Sequence, residues 1–138
     1  MSKNLRQNIL SLSILVVLLL LFLSINSCET YEQGSKIYVA KCANCHGKQA
    51  EGLAQMYPPL NSSLVVRDSV DRLVCIIKNG LSGPRRVNGI IYNNHMLPIT
   101  DLSAVELSNL INYIRMELNE IKDPVKPSDI EQWLEKCD

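Results

Sequence analysis

Apolar residues begin this chain as a block and continue as a periodic pattern. Ile9 to Ile25 is apolar except for Ser11, Ser13 and Ser24, and Ile14 to Leu23 is unbroken. Gly34, Ile37, Tyr38 and Lys41 then share one helical face, predicting a first helix from Gly34 that ends near Cys42. Gly47 to Asn61 reads as a loop closing on Tyr57-Pro58-Pro59-Leu60. Ser62 to Asn79 reads as one or two helices, with Asp68 as a cap, Val70, Leu73, Val74 and Ile77 as the apolar stripe, and Gly80 as the stop. Leu81 to Thr100 is expected to be irregular, because Gly83-Pro84, Asn88-Gly89, Asn93-Asn94 and Pro98 are turn signals. Ser103 and Glu106 form a capping box opening a helix to about Leu118, with Val105, Leu107, Leu110, Ile111 and Ile114 inward. Pro124 and Pro127 mark a linker. Ser128 and Glu131 read as a second box, before a short helix bearing Ile130, Trp133 and Leu134. No β-rich region is evident, so the outline is all-α with long loops.

Composition divides the same way. Of 138 residues, 46% are hydrophobic and formal charge is zero, which argues against a nucleic-acid partner because phosphates call for a basic face. Residues 1–27 carry no acid. Without them, 48 of 111 residues are hydrophobic, and 12 basic against 14 acidic residues leave −2. One Trp, five Tyr and no Phe remain there, a thin core for a domain that must stand alone.

Residues 1–27 read as an export signal or membrane segment, with Lys3 and Arg6 ahead of the apolar stretch. Ile25-Asn26-Ser27-Cys28 resembles the lipobox of bacterial lipoproteins, which implies lipid attachment at Cys28. An uncleaved anchor and a soluble secreted protein are the other readings. Each places the rest of the chain outside the inner membrane, in the bacterial cell envelope. Residues 28–33 are then a polar tether, 34–120 the folded domain, and 121–138 a linker and short helix.

Cys42-Ala43-Asn44-Cys45-His46 carries the chemistry. Two thiols three residues apart, with a histidine directly after the second, form the signature for covalent haem c attachment. Each thiol joins one vinyl group, and the adjacent imidazole is a suitable iron ligand. A thioredoxin-like pair would need a βαβ setting, and a zinc ribbon a second close Cys/His pair; the chain offers neither. A bound macrocycle also accounts for the thin core.

Gly34 through His46 resembles the first helix of class I c-type cytochromes, and Leu110-Ile-Asn-Tyr113-Ile resembles their last helix. The likeness covers about residues 31–118. Gly80 to Pro98 is similar to a subset with a "G-L-x-G-P…V-N-G…Y-N…M-x-P" segment. The resemblance implies a cytochrome c-like fold, three to five helices around one covalently attached haem. It further implies that Gly34 and Tyr38 pack against Leu110 and Tyr113. Pro58 or Pro59 would offer a carbonyl to the free nitrogen of His46, and Leu60 would pack on the haem.

His46 is thus the expected fifth ligand. Met1 lies in the signal, Met56 is close behind His46, and Met116 comes after a helical stripe, so the last two read as packing residues. Met96, in the long loop with Pro98 behind it, is the expected sixth ligand, as in the family's ligand loop. His95 is its rival, and an open site is the third reading. Arg85 and Arg86 would pair with propionates, dock a partner, or simply sit in a solvated turn. Cys75 and Cys137 are left over; a disulfide and a buried free Cys75 are both open, the free thiol being the plainer.

No acid, base or nucleophile constellation appears, so an electron carrier rather than an enzyme is expected. The leading reading is a membrane-anchored monohaem cytochrome passing single electrons between periplasmic or membrane redox proteins. A cytochrome subunit of a larger oxidase, nitrite reductase or dehydrogenase is the alternative, and a haem ligand sensor or small peroxidase is the reading from another class.

Overall fold

The computed structural model describes residues 7, 9, 11–18 and 29–137. It divides into two units, residues 1–30 and 31–138. Positions 11–18 are helical, and Leu12, Ile14, Leu15, Val16, Val17 and Leu18 are exposed on them. Among the described residues no helix is long and apolar enough to cross a membrane. Most of the expected export segment, including Cys28, lies outside the described residues.

Helix α1, Glu29–Lys41, starts ahead of the Gly34 expected from periodicity, so most of the supposed tether is helical. Its inner face carries Gly34 and the fully buried Tyr38. The ring of Tyr38 lies 5.5 Å from that of Tyr113, and Tyr31 meets Tyr113 edge-on at 5.8 Å. Gly34 is where the two backbones meet. A Cβ there would sit 2.9 Å from Tyr113 Cβ and closer still to the Asn109 carbonyl oxygen. The nearest atoms to Gly34 belong to Asn109 and Tyr113, and Tyr38 shares one core with Leu110 and Tyr113. On an exposed helix face Gly→Ala gains about 1 kcal/mol. Here Gly34→Ala is expected to cost about 1–3 kcal/mol, because a backbone carbonyl must move. Denaturant titration checks this; an unchanged or raised midpoint would show that the helices separate freely.

The one-turn helix α2, Ala43–His46, comes directly after α1. Helices α3, Leu64–Asp68, and α4, Val70–Asn79, confirm the two-helix reading of Ser62 to Asn79. Asp68 is not a cap, however. It ends α3 and pairs with neighbouring Arg67 at 2.9 Å on the surface, because Ser69 forms the corner. Leu73, Val74 and Ile77 are buried as the stripe requires, and Val70 is half-buried.

The segment expected to be irregular holds one hairpin, β1 (Arg85–Val87) with β2 (Ile90–Tyr92), paired antiparallel with Val87 opposite Ile90. Asn88 and Gly89 both take positive φ at its tip, the geometry a two-residue hairpin turn demands. The turn signal is there in the residues; three-residue strands are too short for alternation to show.

Ser103 caps α5, Ala104–Asn112, in the expected box: its Oγ accepts from Glu106 N, and Glu106 accepts from Ser103 N at 2.9 Å. Leu107, Leu110, Ile111 and Ile114 are buried, whereas Val105 is exposed, because it falls on the opposite side of the helix from Leu107 and Ile114. The helix continues through a π-helical turn, Tyr113–Glu117. That turn directs Arg115 inward, four residues after Ile111, where its guanidinium donates to Val66 O at 2.8 Å. Met116 is exposed beside it, and Met56 is exposed in its loop, so neither packs as expected.

Helix α6, Pro127–Leu134, starts at Pro127 rather than Ser128, and Asp129 accepts the Lys126 N–H where the Ser128–Glu131 box was expected. It packs on α4 and α5 with Ile130 fully buried. A disulfide joins Cys75 to Cys137, so the free-thiol reading of Cys75 gives way. Sequence cannot show two sites 62 residues apart being brought together by a helix that folds back.

Candidate functional site

The site is built by the turn after α1. Cys42 N donates to Tyr38 O at 2.8 Å and His46 N to Cys42 O at 2.9 Å, so Cys42, Cys45 and His46 ride on one continuous, slightly broken helical path. Tyr38 OH donates to Gly47 O at 2.6 Å and locks the exit from α2. The chain then turns back: Gly52 N donates to His46 O at 2.7 Å, and Leu60 N to Ala50 O at 2.8 Å.

That return places Pro58 O 2.9 Å from His46 Nδ1. A carbonyl only accepts, so Nδ1 carries the proton and Nε2 keeps its lone pair. Of the two prolines left open by sequence, Pro58 is the partner. Gly52 makes the approach feasible, with φ of 77° and a position where a Cβ would lie 2.7 Å from Tyr57 O and Pro59 N. Sequence reasoning missed Gly52, because its need is created by a chain segment seven residues away. Burial lowers the His46 pKa, and the Pro58 bond opposes this without cancelling it. The ring therefore stays neutral, as a ligand must. Burial, helped by the nearby Cys45, pushes the Cys42 thiol up to about 11.

The Met96 loop forms a second wall of the same site. Leu81 and Met96 exchange two backbone hydrogen bonds, each 2.9 Å, and Ile99 N donates to Ile77 O at 2.9 Å. Two adjoining cavities, of about 300 and 450 Å³, lie between the two walls. Both are lined by Cys42, His46, Pro58, Leu81, Arg85, Val87 and Met96. Cys45, Tyr57 and His95 line the smaller, while Leu60, Leu73, Ile76 and Ile77 line the larger. His95 is exposed and Met96 half-buried. Arg85 and Arg86 donate to Pro84 O and Gly89 O of their own hairpin while also lining the larger cavity.

Every expected haem contact among the described residues thus meets at one place. The donor set suits haem c: two free thiols, a neutral imidazole with a free lone pair, a thioether, and apolar walls. Among the described residues no cluster of three or more His, Cys, Asp or Glu offers an alternative metal site.

Residues 29–114 match the family described as cytochrome c oxidase, cbb3-type, subunit III. Cytochrome c-552 of Thermus thermophilus is 32% identical over 85 residues, 59% of this chain and 64% of that protein. The cytochrome c subunit of a quinone alcohol dehydrogenase from Komagataeibacter europaeus is 30% identical over 91 residues, 59% of this chain and 18% of its own length. Its counterpart in Gluconobacter oxydans is 28% identical over 107 residues, 72% of this chain and 21% of that subunit. The chain spans less than two thirds of each of these relatives. With a family match over more than half its residues, the chain belongs to the cytochrome c family of that subunit III, as a monohaem c-type cytochrome domain with covalently bound haem c.

Proposed function

We propose that Cys42 and Cys45 would hold the haem by thioether bonds, with His46 and Met96 as the ligands to its iron. The observation carrying this is the shared cavity, which both thiols, His46 and Met96 line together. Bound there, haem c supplies an iron that accepts and releases a single electron. The chain's own residues hold that cofactor in one geometry. Pro58 O fixes the His46 ring, Leu81 fixes the Met96 backbone, and Leu60, Leu73 and Ile77 keep water from the larger cavity. A rigid site changes little between oxidation states, as fast electron transfer requires.

Residues 1–28 anchor the domain to a bacterial membrane, by lipid on Cys28 or by the apolar stretch itself, with the haem facing the periplasm or outside. In this reading the protein shuttles electrons between redox proteins of the envelope. A second reading, a built-in cytochrome subunit of a larger redox enzyme, is favoured by relatives that are cytochrome c subunits of alcohol dehydrogenases.

Absorption spectra of both oxidation states, taken before and after acid-solvent extraction, are expected to show haem that stays with the polypeptide. Extractable haem would sink the thioether assignment. Solubilised membranes then separate the two functional readings: a free monomer supports the carrier, and stable co-migration with a larger dehydrogenase or oxidase supports the subunit.

A further inference from the structure

Helix α4 touches both the site and the C-terminal tail. One of its faces, with Leu73, Ile76 and Ile77, lines the larger cavity. Its C-terminal end grips the Met96 loop on both sides. Leu81 exchanges two backbone bonds with Met96, and Ile77 O accepts from Ile99 N. Between them, Gly80 takes φ of 74° and lies so close that a Cβ would sit 2.9 Å from Pro98 N and nearer still to Met96 O. Little separates the end of α4 from the Met96 backbone.

The other face of α4 is fastened to the tail. Cys75 forms its disulfide with Cys137, and one turn later Lys78 Nζ donates to Leu134 O at 3.2 Å. Helical geometry puts residues 75 and 78 on one side and 73, 76 and 77 toward the other. Packed helices pass displacements on rather than absorb them, because interiors are close-packed.

We infer that the Cys75–Cys137 cross-link, through the tail helix it fastens, is a positioning device for Met96: it holds α4 where its end pins the ligand loop. This rests on the reading of Met96 as the sixth ligand. Loosening the cross-link should therefore let Met96 leave its place more often, without first unfolding the domain.

The test is imidazole binding to the ferric holoprotein, monitored by absorption and measured for each protein at the same interval below its own unfolding midpoint. Cys75→Ser/Cys137→Ser is expected to bind imidazole about tenfold faster than the parent, the size of a typical coupling between linked sites. Ser103→Ala, which weakens the α5 cap away from α4, is expected to match the parent. Lys78→Met, which keeps the disulfide, is expected to show a smaller rise and serves if the double variant does not fold. Equal rates in the cross-link and cap variants would overturn the inference. Met96→Ala in the same series separates the two claims. If it binds imidazole rapidly while the cross-link variants do not, only the positioning role fails. If it binds no faster than the parent, Met96 is not the ligand and both readings fail.

Discussion

Replacing both Cys42 and Cys45 by alanine is expected to yield a chain without attached haem and without a cooperative fold. The reason is the missing burial: without haem, the apolar walls of two adjoining cavities, of about 300 and 450 Å³, are left facing water. A domain of this size is stable by only about 5–15 kcal/mol in total. The protein around the cavity has little with which to offset that loss, since the fully buried large side chains among the described residues are few: Tyr38, Leu110, Ile111, Ile114, Ile130, Val66 and Val74. Haem absorbance after denaturing chromatography and a thermal melt monitored by circular dichroism check both parts. A haem-free variant melting cooperatively at the parent's midpoint would show that the helices make a sufficient core alone.

Met96→Ala is expected to keep the fold and the haem but to lower the reduction potential by on the order of 0.1 V, within the roughly 0.8 V over which axial ligands move haem. A thioether favours ferrous iron more than water or a nitrogen ligand does, so its loss favours the oxidised state. The loop should survive, because Met96 is held to Leu81 through its backbone, which alanine retains. The side chain is half-buried, which puts the stability loss near the low end for Met→Ala, about 2 kcal/mol. Potentiometric titration with ferric and ferrous spectra decides the point. An unchanged potential and spectrum would remove Met96 from the site, and the same measurements on His95→Ala would then show whether its neighbour had been the ligand.

Much of this site is legible in the residues because its chemistry is local. Cys42, Cys45 and His46 fall within five consecutive positions, so no fold is needed to bring them together. The Ser103–Glu106 box and the Leu107 to Ile114 stripe are likewise local, set by helix geometry within two turns. Sequence misleads where a local rule meets a distant neighbour. Asp68 has the chemistry of a cap but yields to the corner set by Ser69, and Val105 is apolar but falls on the far side of α5 from Leu107 and Ile114. Arg115 carries a signal of its own: a charge on the inward face, four residues after Ile111. It is tolerated there because Val66 O accepts from it.

By itself, then, the sequence determined the cofactor chemistry, the helical class and the fact that something must fill a thin core. The tertiary structure alone decided which proline carbonyl orients His46, why Gly34 and Gly52 must be glycine, and that Cys75 and Cys137 pair. It also brought Met96 to the same cavity as His46 and tied its loop to the end of α4. The division is physical. Motifs and periodicities record what neighbouring residues do to one another, whereas contacts between segments dozens of residues apart exist only once the chain has paid the entropy of closing those loops.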